Sequence, residues 1–289
     1  MPVGMRDAQA VVLRDKVYLG GGDGPEGPSS KLLIYDFSKD SWDMLDTPTQ
    51  QYSLAVYRSQ LVLVGGVDPF HNVVSKSWWS LDEKLRWTER FPSVPMERFR
   101  ASVVSDGNHL IVAGGDKGGV FGRLDVVDVY DGQEWRRVHS LPRTCSRMKS
   151  VVHEGFWYLA GGVGQDHKVF YTSLESLIAS THSAAVGDDP VWKTLPDAPF
   201  QYSTPVIFGK QLTTVGGSYT SAIYVYHPIK SWVHVGDLPV AFSFVCSLVL
   251  PTTGELVMVG GRSRREISSH VFRTKIQGKF YKLGSSFQG

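Results

Sequence analysis

Residues 61–66 read LVLVGG, and the pattern they make, an apolar run closed by two glycines, returns at a steady interval along the chain. The other copies are VYLGG at 17–21, LIVAGG at 110–115, WYLAGG at 157–162, LTTVGG at 212–217 and LVMVGG at 256–261. The glycine pairs are Gly20-Gly21, Gly65-Gly66, Gly114-Gly115, Gly161-Gly162, Gly216-Gly217 and Gly260-Gly261, and successive first glycines lie 45, 49, 47, 55 and 44 residues apart. A period of that length suits one supersecondary unit that cannot cover both its faces alone and must stack on its neighbours.

Other landmarks keep the same phase. A proline stands upstream of every pair, at Pro2, Pro48, Pro95, Pro142, Pro199 and Pro239. A tryptophan follows the first five pairs, at Trp42, Trp87, Trp135, Trp192 and Trp232, and Phe280 takes its place after the sixth. Between pair and tryptophan lies a further apolar run, such as LLIYDF from Leu32. Each unit therefore reads as four short strands; in the first they are Ala8–Leu13, Val17–Gly21, Leu32–Phe37 and Trp42–Leu45. Continuously apolar runs such as LVLV predict strands buried on both faces, and the intervening Gly, Asn, Asp and Ser mark tight turns. The expected architecture is all-β: a six-bladed propeller of four-stranded antiparallel blades, one domain over 1–289. The blades run about 6–46, 50–92, 98–139, 146–196, 202–236 and 243–284. Glycine pairs let the backbone pass where blades converge, and the tryptophans fill the wedge between sheets farther out.

The composition agrees: of 289 residues, 30 are glycine and 12% are aromatic, a pairing typical of short strands and tight turns. A net charge of +2 gives no argument for nucleic acid or an anionic membrane as partner. Two cysteines, Cys145 and Cys246, make no disulfide framework. With no apolar leader at the N-terminus, both read as reduced thiols of a cytoplasmic or nuclear protein.

The recurring glycine pair, then an apolar run carrying Tyr35, Tyr130 or Tyr226, then tryptophan, then Leu-Pro (Leu141-Pro142, Leu195-Pro196, Leu238-Pro239), resembles the Kelch repeat over about Asp7 to Leu283. WD repeats, the main rival, need Trp-Asp in each unit, and Trp42-Asp43 is the one instance. Unit two departs, with Trp78-Trp79-Ser80 where tyrosine is expected; unit four carries an insertion, Glu175 to Pro190; unit six lacks the tryptophan. The ring closes either with every blade built from contiguous chain or with one blade shared between the termini, as in many Kelch propellers. The insertion is expected on the face opposite the binding loops, where its deletion leaves stability and binding largely intact.

Chemistry-bearing motifs are missing. The 9 histidines are scattered, without H-E-x-x-H or C-x-x-C, and the GGGDG at Gly20 and GGDKGG at Gly114 lack the Gly-Lys-Ser/Thr ending of a phosphate loop. The expectation is a non-enzymatic, monomeric module with no metal and no cofactor. Strand alternation puts the loops before each first strand and after each glycine pair on one face. Those loops carry Arg98, Arg100, Arg147, Tyr52, Tyr202, Phe242, Tyr219, Arg262, Arg264 and His71, of types enriched at binding hot spots. Alternation turns one of Arg98 and Arg100 inward, and Arg100, aligned with Tyr52 and Tyr202, is favoured. The resemblance implies that this face holds a short, acidic peptide or protein segment, as in the BTB-Kelch substrate adaptors of cullin ubiquitin ligases, and guanidinium groups suit a carboxylate. The alternatives it leaves are a sugar-processing enzyme similar to the sialic acid mutarotases and an actin-associated structural propeller. Loss of Arg100 or Arg147 is expected to weaken binding at least about tenfold with little change in melting temperature.

Overall fold

The computed structural model describes residues 1–120, 122–163, 168–179, 191–250, 253–264 and 266–274. It is a ring of six antiparallel sheets. The first takes Gln9–Leu13, Lys16–Gly20, Lys31–Asp36 and Ser41–Asp46. The second takes Ser53–Tyr57, Gln60–Val64, Trp78–Leu81 and Trp87–Arg90, and the third Ser102–Ser105, Leu110–Ala113, Val127–Tyr130 and Trp135–Arg137. The fourth takes Ser146–His153, Phe156–Val163, Val169–Ser173 and Lys193–Leu195, and the fifth Thr204–Phe208, Gln211–Val215, Thr220–His227 and Ser231–Phe242. The sixth has three described strands, Cys246–Val249, Leu256–Val259 and Val271–Thr274. Phe280 and Leu283, expected in its fourth strand, lie outside the described residues.

The first strands of successive blades adjoin one another around the axis, the sixth meeting the first. The second strands of blades three and six are buried on both sides, as their unbroken apolar runs require: Leu110–Ala113 and Leu256–Val259 are buried at every position. Each such Val or Leu contributes roughly 1.5–3 kcal/mol relative to exposure. Outermost strands alternate or face solvent, as in Trp87–Arg90. All five complete blades are built from contiguous chain.

Neighbouring blades are fastened at two radii. Farther out, Nε1 of Trp87, Trp135 and Trp232 donates at 2.9 Å to the carbonyls of Asp46, Pro92 and Pro196, each at the exit of the preceding blade. Near the axis, a glycine at the end of a second strand meets the linker entering the next blade. A Cβ on Gly65 would lie 2.2 Å from the Arg98 carbonyl, and the Gly66 N–H donates to that oxygen at 2.9 Å. The same bond joins Gly261 to Met5 at 2.8 Å, so the N-terminal segment closes the ring on blade six as an ordinary linker does elsewhere.

Two details correct the repeat alignment. In blade one Gly20 pairs with Gln9 inside the sheet, as Val64 pairs with Ser53, so the equivalent of Gly65-Gly66 is Gly21-Gly22. Three consecutive glycines had hidden that offset. In blade two Leu81, not Trp78, stands opposite the repeat tryptophan, the place Tyr35 takes in blade one. Trp78 lies three residues earlier, packed against Tyr57 and Tyr130.

The insertion begins as a helix, Leu174–Ala179, following the third strand of blade four and therefore opposite the glycine-pair loops. Leu177, fully buried, packs into the core with Trp157 and Trp192. A deletion starting at Glu175 thus removes core, contrary to the expectation of a dispensable loop; residues 180–190 lie outside the described residues.

Candidate functional site

Where each first strand begins, just ahead of it or, in blade four, one residue inside it, one residue per blade adopts left-handed backbone: Asp7 (φ 60°), Gln51 (53°), Arg100 (55°), Arg147 (61°), Tyr202 (59°) and Phe244 (57°). None is glycine, and non-glycine residues reach this region at a cost that the surroundings must offset. Here the offset comes partly from backbone bonds passed between blades. Arg100 N–H donates to the Gln51 carbonyl at 3.0 Å, Arg147 N–H to that of Arg100 at 2.9 Å, and Asp7 N–H to that of Phe244 at 3.0 Å. These six positions ring the mouth of the central channel. Below it lies a cavity of about 500 Å³ lined by the first strands, among them Gln9, Ser102, Lys149, Ser150 and Ser247.

The mouth is split in two. On the side of blades one to four the side chains form a charged network around Asp7 and Asp23, whose carboxylates are 3% and 5% exposed. Arg100 Nη2 donates to both Asp23 oxygens, at 2.9 and 3.1 Å, and Gln51 Nε2 donates to Oδ1 at 2.9 Å. Arg6 Nη2 lies 3.6 Å from Asp23. Arg147 Nη1 donates to Asp7 Oδ2 at 3.1 Å. Lys149 Nζ donates to the Asp7 and Ala8 carbonyls at 2.8 and 2.9 Å and lies 3.1 Å from Asp7 Oδ1. On the side of blades five and six, the Tyr202 and Phe244 rings pack against each other, centroids 4.4 Å apart and planes tilted by 32°.

The charges do not cancel. Arg6, Arg100, Arg147 and Lys149 surround two carboxylates, leaving the mouth positive. Burial pushes the Asp23 carboxyl up, but the Gln51 bond and the Arg100 and Arg147 charges outweigh that and hold it below its ordinary range. Arg100 is shifted down, first by burial and next by the like charge of Arg147, with Asp23 and Asp7 only partly compensating. An added anion would relieve that crowding of cations.

Several residues expected on this face are elsewhere. Arg98 is fully buried and ion-paired to Asp128, itself fully buried, with Nη1 donating to the Gly114 and Val126 carbonyls. Tyr52 is 1% exposed, its hydroxyl donating to the Lys31 carbonyl at 3.0 Å, and Phe242 is 2% exposed in the core of blades five and six. Tyr52 stands in register with Ala101, not Arg100; each faces the wedge between blades, and the residue before it faces the mouth. Tyr219 is 41% exposed on the rim, its N–H bonded to Ser243 Oγ. Arg262, Arg264 and His71 are exposed, the last with Nδ1 3.2 Å from Asp68. Asp7, Asp23, Gln51 and Lys149 were missed as site residues. The usable signal was position: five of the six left-handed residues stand two places before the first residue of an inner strand.

Among the described residues no three His, Cys, Asp or Glu gather as a metal site, and no helix is long and apolar enough to cross a membrane.

No family model matches the chain. It is similar to the Kelch repeat protein M-T8 of Myxoma virus (strain Lausanne), with 25% identity over 165 residues. That match covers 53% of this chain and 31% of the relative, so it spans less than a third of that protein's length. The solved structure of YjhT superposes with a TM-score of 0.78 over 96% of this chain and 97% of that one, at 16% identity. The shared architecture is the propeller.

Proposed function

From the premise that the chain is a Kelch-repeat β-propeller, a fold that suggests a protein-interaction module, we propose that it is a non-catalytic domain holding an acidic peptide or protein segment over the mouth of the ring. One observation carries this reading: four cations around two carboxylates leave an unbalanced positive charge at the opening. A ligand carboxylate arriving there finds guanidinium groups already fixed by Asp7 and Asp23, so little side-chain freedom is lost on binding. Arginine offers parallel donors that match a carboxylate, which favours an Asp or Glu side chain over a neutral amide. Such recognition suits the substrate-binding part of a cullin ubiquitin-ligase adaptor, the role that the family resemblance suggests.

The test is calorimetry of the purified domain against pairs of peptides differing only by Asp→Asn or Glu→Gln. The peptides come from a randomised display library selected on the domain. The acidic member of each pair is expected to bind more tightly by at least about tenfold, the loss associated with an unmatched buried charge pair, and increasingly so at low salt. Equal binding within the pairs would remove the acidic-ligand reading.

A further inference from the structure

The six left-handed residues do more than hold charge. Taken in blade order they run Asp7, Gln51, Arg100, Arg147, Tyr202, Phe244, and the two aromatic residues are consecutive. The opening is therefore polarised: charged and amide side chains over blades one to four, a packed aromatic pair over blades five and six. Backbone geometry supports reading these as one surface. All six share the same left-handed conformation at the same place in the repeat, and Asp7 of blade one donates its backbone N–H to the Phe244 carbonyl of blade six. Large side chains at strained positions are better explained by what they present to the mouth than by packing, since left-handed backbone disfavours aromatics.

We propose that this mouth recognises a two-part determinant: an acidic residue seated against Arg100 and Arg147, with an aromatic side chain one or two positions away in the same peptide lying on the Tyr202–Phe244 pair. The inference rests on the mouth being the acidic-ligand site and adds the second half of the specificity. Charge complementarity supplies the occupant of the first half. The second follows from the ring pair: both residues are half-buried, so a ring added to the pair removes further apolar area from water and gains the offset or edge-on geometry that aromatic pairs prefer. An acidic residue alone would leave that pair uncovered; an aromatic residue alone would leave the cations crowded.

The experiment is selection of a randomised 12-residue display library on the parent domain and, in parallel, on the Tyr202→Asn/Phe244→Asn double variant. Asparagine is chosen because it tolerates left-handed backbone. The parent is expected to enrich peptides with Asp or Glu and, one or two residues from it, Phe, Tyr or Trp. The variant is expected to enrich the acidic residue without the aromatic. A second measurement needs no protein variant: replacing the aromatic of a selected peptide by Ala is expected to weaken binding to the parent on the order of tenfold. If the parent enriches acidic peptides with no aromatic preference, or the Ala peptide binds as its parent does, the two-part determinant is overturned while the acidic reading stands. If neither residue type is enriched, the acidic reading falls and this inference with it.

Discussion

The Arg100 guanidinium closes on the Asp23 carboxylate from a different blade, one nitrogen reaching both oxygens at 2.9 and 3.1 Å. Arg100 is thus both part of the proposed anion site and a structural partner of a carboxylate that is 5% exposed. Its removal strands a buried charge. Gln51, Arg6 and Arg147 remain beside Asp23, so the loss is partial, about 2–3 kcal/mol against the 3–5 kcal/mol of a fully broken buried pair. The prediction for Arg100 therefore departs from the expectation of little change in melting temperature. Arg100→Ala should show lowered stability in urea, and Arg100→Ala combined with Asp23→Ala should lose less than the two single costs summed, with a coupling of about 1–3 kcal/mol. Additive costs would mean that the pair contributes nothing.

Asp23 also sets an acid limit. Its carboxyl titrates below the ordinary 3.8 because the Gln51 bond and the arginine charges outweigh the effect of burial. Depressed in the folded state, it binds a proton more readily when unfolded. Its contribution is therefore fully present above about pH 4 and is lost as pH falls through and below that value. The stability gap between the parent and Asp23→Asn is expected to shrink on acidification from pH 5 to 3, followed by chemical denaturation at each pH. A gap that stays constant would show that Asp23 ionises alike in both states.

How far the sequence carried this reading differs by level. Blade number and strand positions were legible because apolar runs ending in glycine pairs repeat in phase. Alternation alone could not separate Arg100 from Arg98, since residues two apart in a strand share a face; the left-handed backbone at Arg100 breaks that pattern, and Arg98 is the fully buried one. Strand direction misassigned Tyr52 and Phe242, because it gives the face of the ring but not which neighbour turns into the wedge between blades. The acidic half of the mouth was invisible for a different reason. Asp7 and Arg147 are 140 residues apart and Asp23 and Arg100 are 77 apart, and no local pattern announces such a pair. Arg98 was misplaced because a fully buried arginine runs against every compositional prior; Asp128, fully buried on the same blade, and the Gly114 and Val126 carbonyls make it tolerable.

The two thiols should be inert in the native protein. Burial pushes Cys145 and Cys246 up to about 11, so little thiolate exists near neutral pH. A chromogenic disulfide reagent at pH 8 is expected to label neither thiol in the folded domain and both after urea is added. Rapid labelling without urea would mean that the inner strands open locally.

Closure of the ring gives the sharpest stability test. Gly260 has φ +68°, and a Cβ there would lie 2.1 Å from the Met5 carbonyl oxygen, an approach no side chain makes. Backbone, rather than a flexible side-chain end, must move to relieve it. The neighbouring Gly261 N–H donates to that same oxygen at 2.8 Å, so any shift also weakens the bond that joins blade six to the N-terminal segment. Gly254 supplies the control: φ is nearly the same, +66°, and a Cβ there meets nothing within 4 Å. Gly254→Ala therefore carries the left-handed penalty alone, about 1 kcal/mol. Gly260→Ala carries that penalty plus the clash and the damaged closure, about 3 kcal/mol or more. Urea unfolding of the two variants against the parent separates the contributions. The difference between them should appear as a lower midpoint with a similar slope, since the same surface is exposed on unfolding. Two variants of equal stability would show that the Met5 segment does not hold the ring shut.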